Sequence, residues 1–247
     1  MMRNWIFALC ATFAVPAMAA GFDFSSVLSD TRRPAADTAR DTARKPADML
    51  AFAGVRSGMK VMDLIPGGGY FTRLFAVAVG PEGHVYAYQP TEFDSFLKGK
   101  EPPVTAVAAT YPNVTVVRAS VSTLSVPKKL DVIWTAQNYH DLKNGGVADT
   151  AAVNKAAFAA LKPGGTYIVL DHAAEPGSGV RDTGTLHRID EAIVKAEVTA
   201  AGFELAGESD VLRNPADQHA LAVFDPAIRG HTDQFILKFR KPFSTKH

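Results

Sequence analysis

Hydrophobic and polar positions along the chain switch between two periods. Val61-Met62-Asp63-Leu64-Ile65 is a short apolar run of the kind a buried strand shows, and from Tyr70 to Val79 the apolar positions Leu74, Phe75 and Val77 share one helical face. Pro66-Gly67-Gly68-Gly69 separates the two and predicts a tight turn. Gly80-Pro81-Glu82-Gly83 ends the helix, and His84–Tyr88 reads as a second strand, which completes a strand-helix-strand unit. The alternation continues with a variable helical stretch over 93–109, strands at Val114–Arg118 and Leu130–Thr135, and an alanine-rich helix over Val147–Leu161. A Lys162-Pro163-Gly164-Gly165 turn precedes a fifth strand at Thr166–Leu170. A helix over Thr185–Ala201 and strands near Phe203–Leu205 and Gln234–Phe239 follow. This order predicts an α/β fold with a mostly parallel sheet covered by helices on both faces.

The first residues stand apart from that pattern. Arg3 precedes an apolar run from Trp5 to Val15 and a small-residue site at Ala17-Met18-Ala19, the arrangement of a secretory signal peptide spanning residues 1–19. Residues 20–247 are expected to form a single domain, with residues 20–45, rich in interleaved Arg and Asp, wrapping it as turns and short helix. Cys10 is the only cysteine, so residues 20–247 offer no disulfide, thiolate metal site or cysteine nucleophile. Export, with the bacterial periplasm as the expected compartment, agrees with this. The formal net charge of +1 falls to zero without Arg3, which gives no reason to expect nucleic acid as a partner. No segment after residue 19 is apolar for long enough to span a membrane. Oligomeric state is left open.

Three glycines after a buried strand let backbone approach a ligand closely, with the following helix N-terminus aimed at it. Asp63-x-x-x-Gly67-x-Gly69, Leu130-Asp131-Val132-Ile133-Trp134 and Leu161-Lys162-Pro163-Gly164-Gly165-Thr166 together resemble class I S-adenosylmethionine-dependent methyltransferases, in particular an exported branch of predicted methyltransferases. The resemblance implies a Rossmann-like, doubly wound seven-stranded sheet whose last strand is antiparallel, with S-adenosylmethionine across the carboxyl ends of the first strands. It places Asp63, Gly67, Gly68, Gly69, Gln89, Ser120 and Asn138 on the cofactor. Ile65 stands where the family has its first glycine, Gln89 where an acidic residue holds the ribose, and Ser120 where an acidic residue often lies near the adenine. These departures leave a second reading open: a non-catalytic periplasmic ligand-binding protein on a methyltransferase scaffold.

A second group of polar residues is expected at the same sheet edge. Asn138-Tyr139-His140-Asp141 follows the fourth strand and Asp171-His172 closes the fifth, while Thr185–Asp190 is expected to open the next helix. Histidine accepts a proton near neutral pH, and a neighbouring carboxylate fixes its tautomer. His140 or His172 is therefore the candidate base for methyl transfer to a small-molecule acceptor, with Asp141 beside it. His140, Asp141, Asp171, His172 and His187 are also ligand types for zinc or iron, but their spacing is not diagnostic, and no metal is expected.

Overall fold

Strand β1 (Lys60–Leu64) lies inside the sheet because it is apolar toward both faces: Val61 enters one core, Met62 and Leu64 the other. The computed structural model describes residues 23–243; the predicted signal peptide lies outside the described residues. Three four-residue helices, α1 (Ser25–Leu28), α2 (Ala35–Thr38) and α3 (Asp41–Arg44), form the wrapping segment, and α4 (Pro46–Ala53) leads into β1. After the glycine turn come α5 (Tyr70–Val79), β2 (His84–Pro90), α6 (Asp94–Leu97), α7 (Thr105–Thr110), β3 (Val114–Ala119) and β4 (Leu130–Ala136). The chain then continues through α8 (Thr150–Ala160), β5 (Leu161–His172), α9 (Glu191–Ala200), β6 (Glu204–Ser209) and β7 (Gln234–Arg240).

The strands form one seven-stranded sheet in the order β3-β2-β1-β4-β5-β7-β6. Pairing is parallel from β3 to β5, and β7 runs antiparallel to both its neighbours, as expected. One core lies between the sheet and α8 and α9. On the other face, α5 buries Phe71, Leu74, Phe75 and Val79, and Phe71 and Phe75 pack on Trp134 with ring centroids 4.6 and 5.7 Å away. Strand order reverses at β1 and β4, which places a crevice at their carboxyl ends. Among the described residues no helix is long and apolar enough to cross a membrane.

Three elements differ from their expectations. The Lys162-Pro163-Gly164-Gly165 turn is absorbed into β5. Its register against β4 jumps from Leu130↔Leu161 to Val132↔Thr166, a bulge that Gly164 accommodates at φ +79°. The stretch over 93–109 breaks into α6 and α7, with Lys98 and Gly99 between them in the left-handed region. The helix expected from Thr185 begins only at Glu191, because Asp190 caps it by accepting the Ala192 amide at 2.9 Å. Thr185–Asp190 instead forms a loop laid against β5 through an Ala173↔Ile189 bridge.

Candidate active site

The β1 turn builds one half of the site. Ile65 has φ +58°, the left-handed conformation that favours glycine and costs an L residue about 1–2 kcal/mol, so the turn has a glycine-like backbone despite the side chain. Two bonds hold Ile65 there: its amide donates to the Tyr88 carbonyl at 2.9 Å, and its carbonyl accepts the Asn138 side-chain amide at 3.0 Å. Gly69 is required by packing, since a Cβ there would lie 2.6 Å from Val107 of α7 and its φ is +78°. Gly67 and Gly68 differ. A Cβ on either meets nothing within 4 Å, and neither amide makes a hydrogen bond among the described residues.

A cavity of about 200 Å³ opens over Gly67 and Gly68, walled by Asp63, Asn138, Gln137, Tyr70 and Arg44. The Arg-rich segment forms its roof. Arg44 donates to Gln137 Oε1 at 2.8 Å and lies over the Tyr70 ring at 4.7 Å, while Arg73 joins Asp37 to the Gly68 carbonyl. Burial lowers the pKa of Arg44, and the neighbouring Arg40 adds to this. Asp63, buried beneath the turn, accepts the Thr72 hydroxyl at 2.6 Å. Burial pushes its carboxyl up to about 7, against the lowering effects of the Thr72 bond and the Arg44 charge.

A carboxyl whose folded pKa is raised binds its proton more tightly when folded. Its stabilising contribution is full below about pH 4 and is lost as pH rises through about 7, roughly 4 kcal/mol in all at about 1.36 kcal/mol per pKa unit. Asp63→Asn is therefore expected to flatten the decline of unfolding free energy between pH 4.5 and 8. Denaturant titrations of both proteins across that range check it, and parallel curves would contradict the reading.

A second cavity of about 270 Å³ adjoins the first and shares Arg40, Arg44 and Gln137 with it. Its far side is His172, Thr232, Val223, Phe224 and Arg229. Neither Arg44 nor Arg229 forms an ion pair among the described residues. His172 Nδ1 lies 2.8 Å from Thr232 Oγ1. Burial pulls its pKa down to about 4, with Asp171 opposing and His140, Arg188 and Arg44 reinforcing, so the ring is neutral near pH 7.

Behind His172, the fully buried Asp171 accepts three bonds at 2.8 Å each, from the His140 amide, the His140 Nδ1 and the His172 amide. Burial pushes this carboxyl up, but the His140 charge and these bonds more than reverse it, leaving the pKa below the usual carboxylate range. His140 shows the converse. Burial depresses it, while the Asp171 charge and the bonds to Asp141 and Asp171 lift it to about 10. His140 Nε2 lies 3.3 Å from Asp141 Oδ1, and His187 Nδ1 reaches the same oxygen at 3.6 Å.

The structure thus gathers Asp63, Gly67, Gly68 and Asn138 at one cavity and His172 at the next, with His140 and Asp141 adjoining. It sets Gly69 beneath the turn and leaves Gln89 and Ser120 outside the cavity lining. Ser120 donates its hydroxyl to Glu92, which also accepts the Val121 amide. Arg40, Gln137, Thr232 and Phe224 also line the two cavities. The sequence hints at Arg40, through the Arg and Asp interleaving of the wrapping segment, and at Thr232, in the polar stretch Arg229–Gln234 before the last strand.

No family model matches the chain. It is 30% identical over 191 residues to the ubiquinone/menaquinone biosynthesis C-methyltransferase of Ectopseudomonas mendocina, an alignment that takes in 76% of this chain and 65% of that protein. Among solved structures, it is similar to a SAM-dependent methyltransferase from Aquifex aeolicus, with 20% identity, a TM-score of 0.58, and 89% of this chain and 99% of that one covered. It is also similar to the N-methyltransferase NodS of Bradyrhizobium japonicum, with 11% identity, a TM-score of 0.53, and coverage of 83% and 96%. A 4+2 cyclase, SpnF, matches with 18% identity, a TM-score of 0.59, and coverage of 82% and 81%. The fold is the Rossmann-like fold of class I S-adenosylmethionine-dependent methyltransferases.

Proposed function

We propose that the protein transfers a methyl group from S-adenosylmethionine to a small-molecule acceptor, with the donor over the β1 turn and the acceptor in the adjoining His172 cavity. The observation that carries this reading is the pair of cavities sharing one wall of Arg40, Arg44 and Gln137 at the point where strand order reverses. The residues present fit the donor: Gly67 and Gly68 offer uncovered backbone with free amides, and Asp63 offers a carboxyl suited to a cationic amine. When bound, that cofactor supplies an electrophilic methyl on a sulfonium. An acceptor oxygen or nitrogen methylated there would give up its proton, which a group of the chain would have to take.

His172 is the residue assigned to take that proton. It is neutral near pH 7 and lines the acceptor cavity; in the tautomer that donates Nδ1–H to Thr232, Nε2 carries the lone pair. His140 holds its own proton up to about pH 10 and, with Asp141, adjoins the cavity rather than serving as base. Arg44 and Arg229 favour an acceptor with an anionic group, and Val223 and Phe224 one with an apolar body. The signal-peptide pattern of residues 1–19 supports an exported enzyme, acting in the periplasm.

Calorimetry with S-adenosylmethionine and S-adenosylhomocysteine tests the reading. The expected result is one site per chain, with affinity lowered about 10-fold or more in Gly68→Val. That substitution puts a side chain into open space without a left-handed φ to strain it, so the melting temperature is expected to hold. Absence of binding of both compounds at millimolar concentration overturns the proposal.

A further inference from the structure

We propose that His140 Nε2, His187 Nδ1 and a carboxylate oxygen of Asp141 form a binding site for one divalent first-row transition-metal ion of the zinc or iron class. One ligand atom from each residue falls in a group whose members all lie within 4.8 Å of one another. The Asp141 oxygen is 3.3 Å from the His140 nitrogen and 3.6 Å from the His187 nitrogen. An ion with bonds of about 2.0–2.1 Å in a tetrahedral shell sets its ligand atoms about 3.3 Å apart, so small side-chain rotations bring the three atoms to that spacing.

The surroundings add a second, independent observation. His140 Nδ1 lies 2.8 Å from the fully buried Asp171, which keeps the proton on Nδ1, and the ion displaces the proton that Nε2 otherwise holds toward Asp141. A carboxylate holding the outer nitrogen is the usual support of a metal-ligating histidine. Asp141 is itself oriented by the Asn144 side-chain amide at 3.1 Å. His187 sits at φ +55°, a left-handed conformation that an L residue keeps only where its surroundings reinforce it. The reinforcement is next to it. Arg188, fully buried, bonds to the Ala173 and Leu221 carbonyls and to Asp217.

Two imidazoles and one carboxylate suit zinc or ferrous iron and are a poor set for magnesium or calcium, which prefer oxygen ligands throughout. Three protein ligands leave coordination positions open, as catalytic rather than structural sites do. The site also lies beside the acceptor cavity: the His187 ring packs against Phe224 at 4.8 Å, and the His140 ring is 6.3 Å from His172. An ion there supplies a Lewis acid next to an acceptor hydroxyl. Metal binding itself does not depend on the methyl-transfer reading.

The test uses the purified chain stripped with a chelator and titrated with Zn²⁺, Co²⁺ and Mg²⁺ by calorimetry, with elemental analysis of the product and the visible spectrum of the Co²⁺ form. The expected result is one equivalent of Zn²⁺ or Co²⁺, a Co²⁺ spectrum of low coordination number, and no comparable binding of Mg²⁺. His187→Ala and Asp141→Asn each weaken Zn²⁺ binding more than about 100-fold, since outer-shell partners alone are worth about 10–100-fold. Both side chains are about 30% exposed, so the fold is expected to survive, and circular dichroism verifies it. No stoichiometric Zn²⁺ or Co²⁺ binding, or binding that a folded variant of either kind leaves unchanged, overturns the proposal. S-adenosylhomocysteine titrated into the stripped protein separates this failure from failure of the cofactor reading.

Discussion

Asp171→Ala is expected to lower the unfolding free energy by about 3–5 kcal/mol, as breaking a buried charged network does. The carboxylate is wholly shielded from solvent and satisfies three donors at once: the His140 amide, the His140 ring and the His172 amide. Alanine leaves all three in a buried setting with no acceptor, and it leaves His140 without the neighbour that stabilises its charge. For a domain of this size the melting temperature falls by roughly 6–20 °C. Asp171→Asn keeps the shape and one acceptor oxygen, so its loss is expected to be smaller. Denaturant unfolding of the two variants beside the parent protein checks the order. A loss under about 1 kcal/mol for the alanine variant contradicts the network described.

Arg188→Leu has an effect of similar size by a different route. Its guanidinium staples the Ala173 carbonyl, just past β5, to the Leu221 carbonyl and to Asp217, at 2.9–3.1 Å, and Asp217 in turn accepts the Asp233 and His219 amides. Leucine leaves the Asp217 charge buried and unpaired, which costs about 3–5 kcal/mol. The damage is expected to concentrate in the loops that this arginine joins. Hydrogen exchange should rise first at the Val223 amide, bonded to the Leu186 carbonyl, and at the Arg188 amide, bonded to the Asp182 carbonyl, while β1 and β4 stay protected. Uniform acceleration through the sheet would show that Arg188 holds the whole fold instead of the cavity wall.

The parts of this fold that were legible in the sequence are those set by local pattern. The apolar face of α5 begins at Tyr70 and ends at Val79, as the spacing of Leu74, Phe75 and Val77 requires. The seven-stranded, mostly parallel sheet and its antiparallel β7 followed from the resemblance carried by Asp63, Gly67, Gly69 and the Leu161–Thr166 motif. What was not legible depends on partners distant in sequence. Thr185–Asp190 has a helix-compatible pattern, yet the buried Arg188 and the bridge to Ala173 draw it into a loop, and only that loop brings His187 to His140. Asp171 is a strand-ending aspartate in the sequence; its role comes from β4 and β5 lying side by side, so that the segment after β4 meets it.

The glycine turn shows the same division. Gly67, Gly68 and Gly69 read as one motif, but Gly67 and Gly68 face open space while Gly69 is fixed by Val107, 38 residues further along. Ile65 reads as a departure from the motif, yet Tyr88 and Asn138 hold its backbone in the conformation that glycine favours. Neither partner is near it in sequence.

A crystal structure of the protein grown with S-adenosylhomocysteine tests whether the β1 turn takes the cofactor and leaves the His172 cavity for the acceptor. With the cofactor over the turn, ligand density is expected over Gly67 and Gly68, between Asp63 and Asn138, with its sulfur toward the wall of Arg44 and Gln137 that borders the His172 cavity. A saturated crystal with the ligand bound elsewhere, or with both cavities holding only solvent, would contradict it.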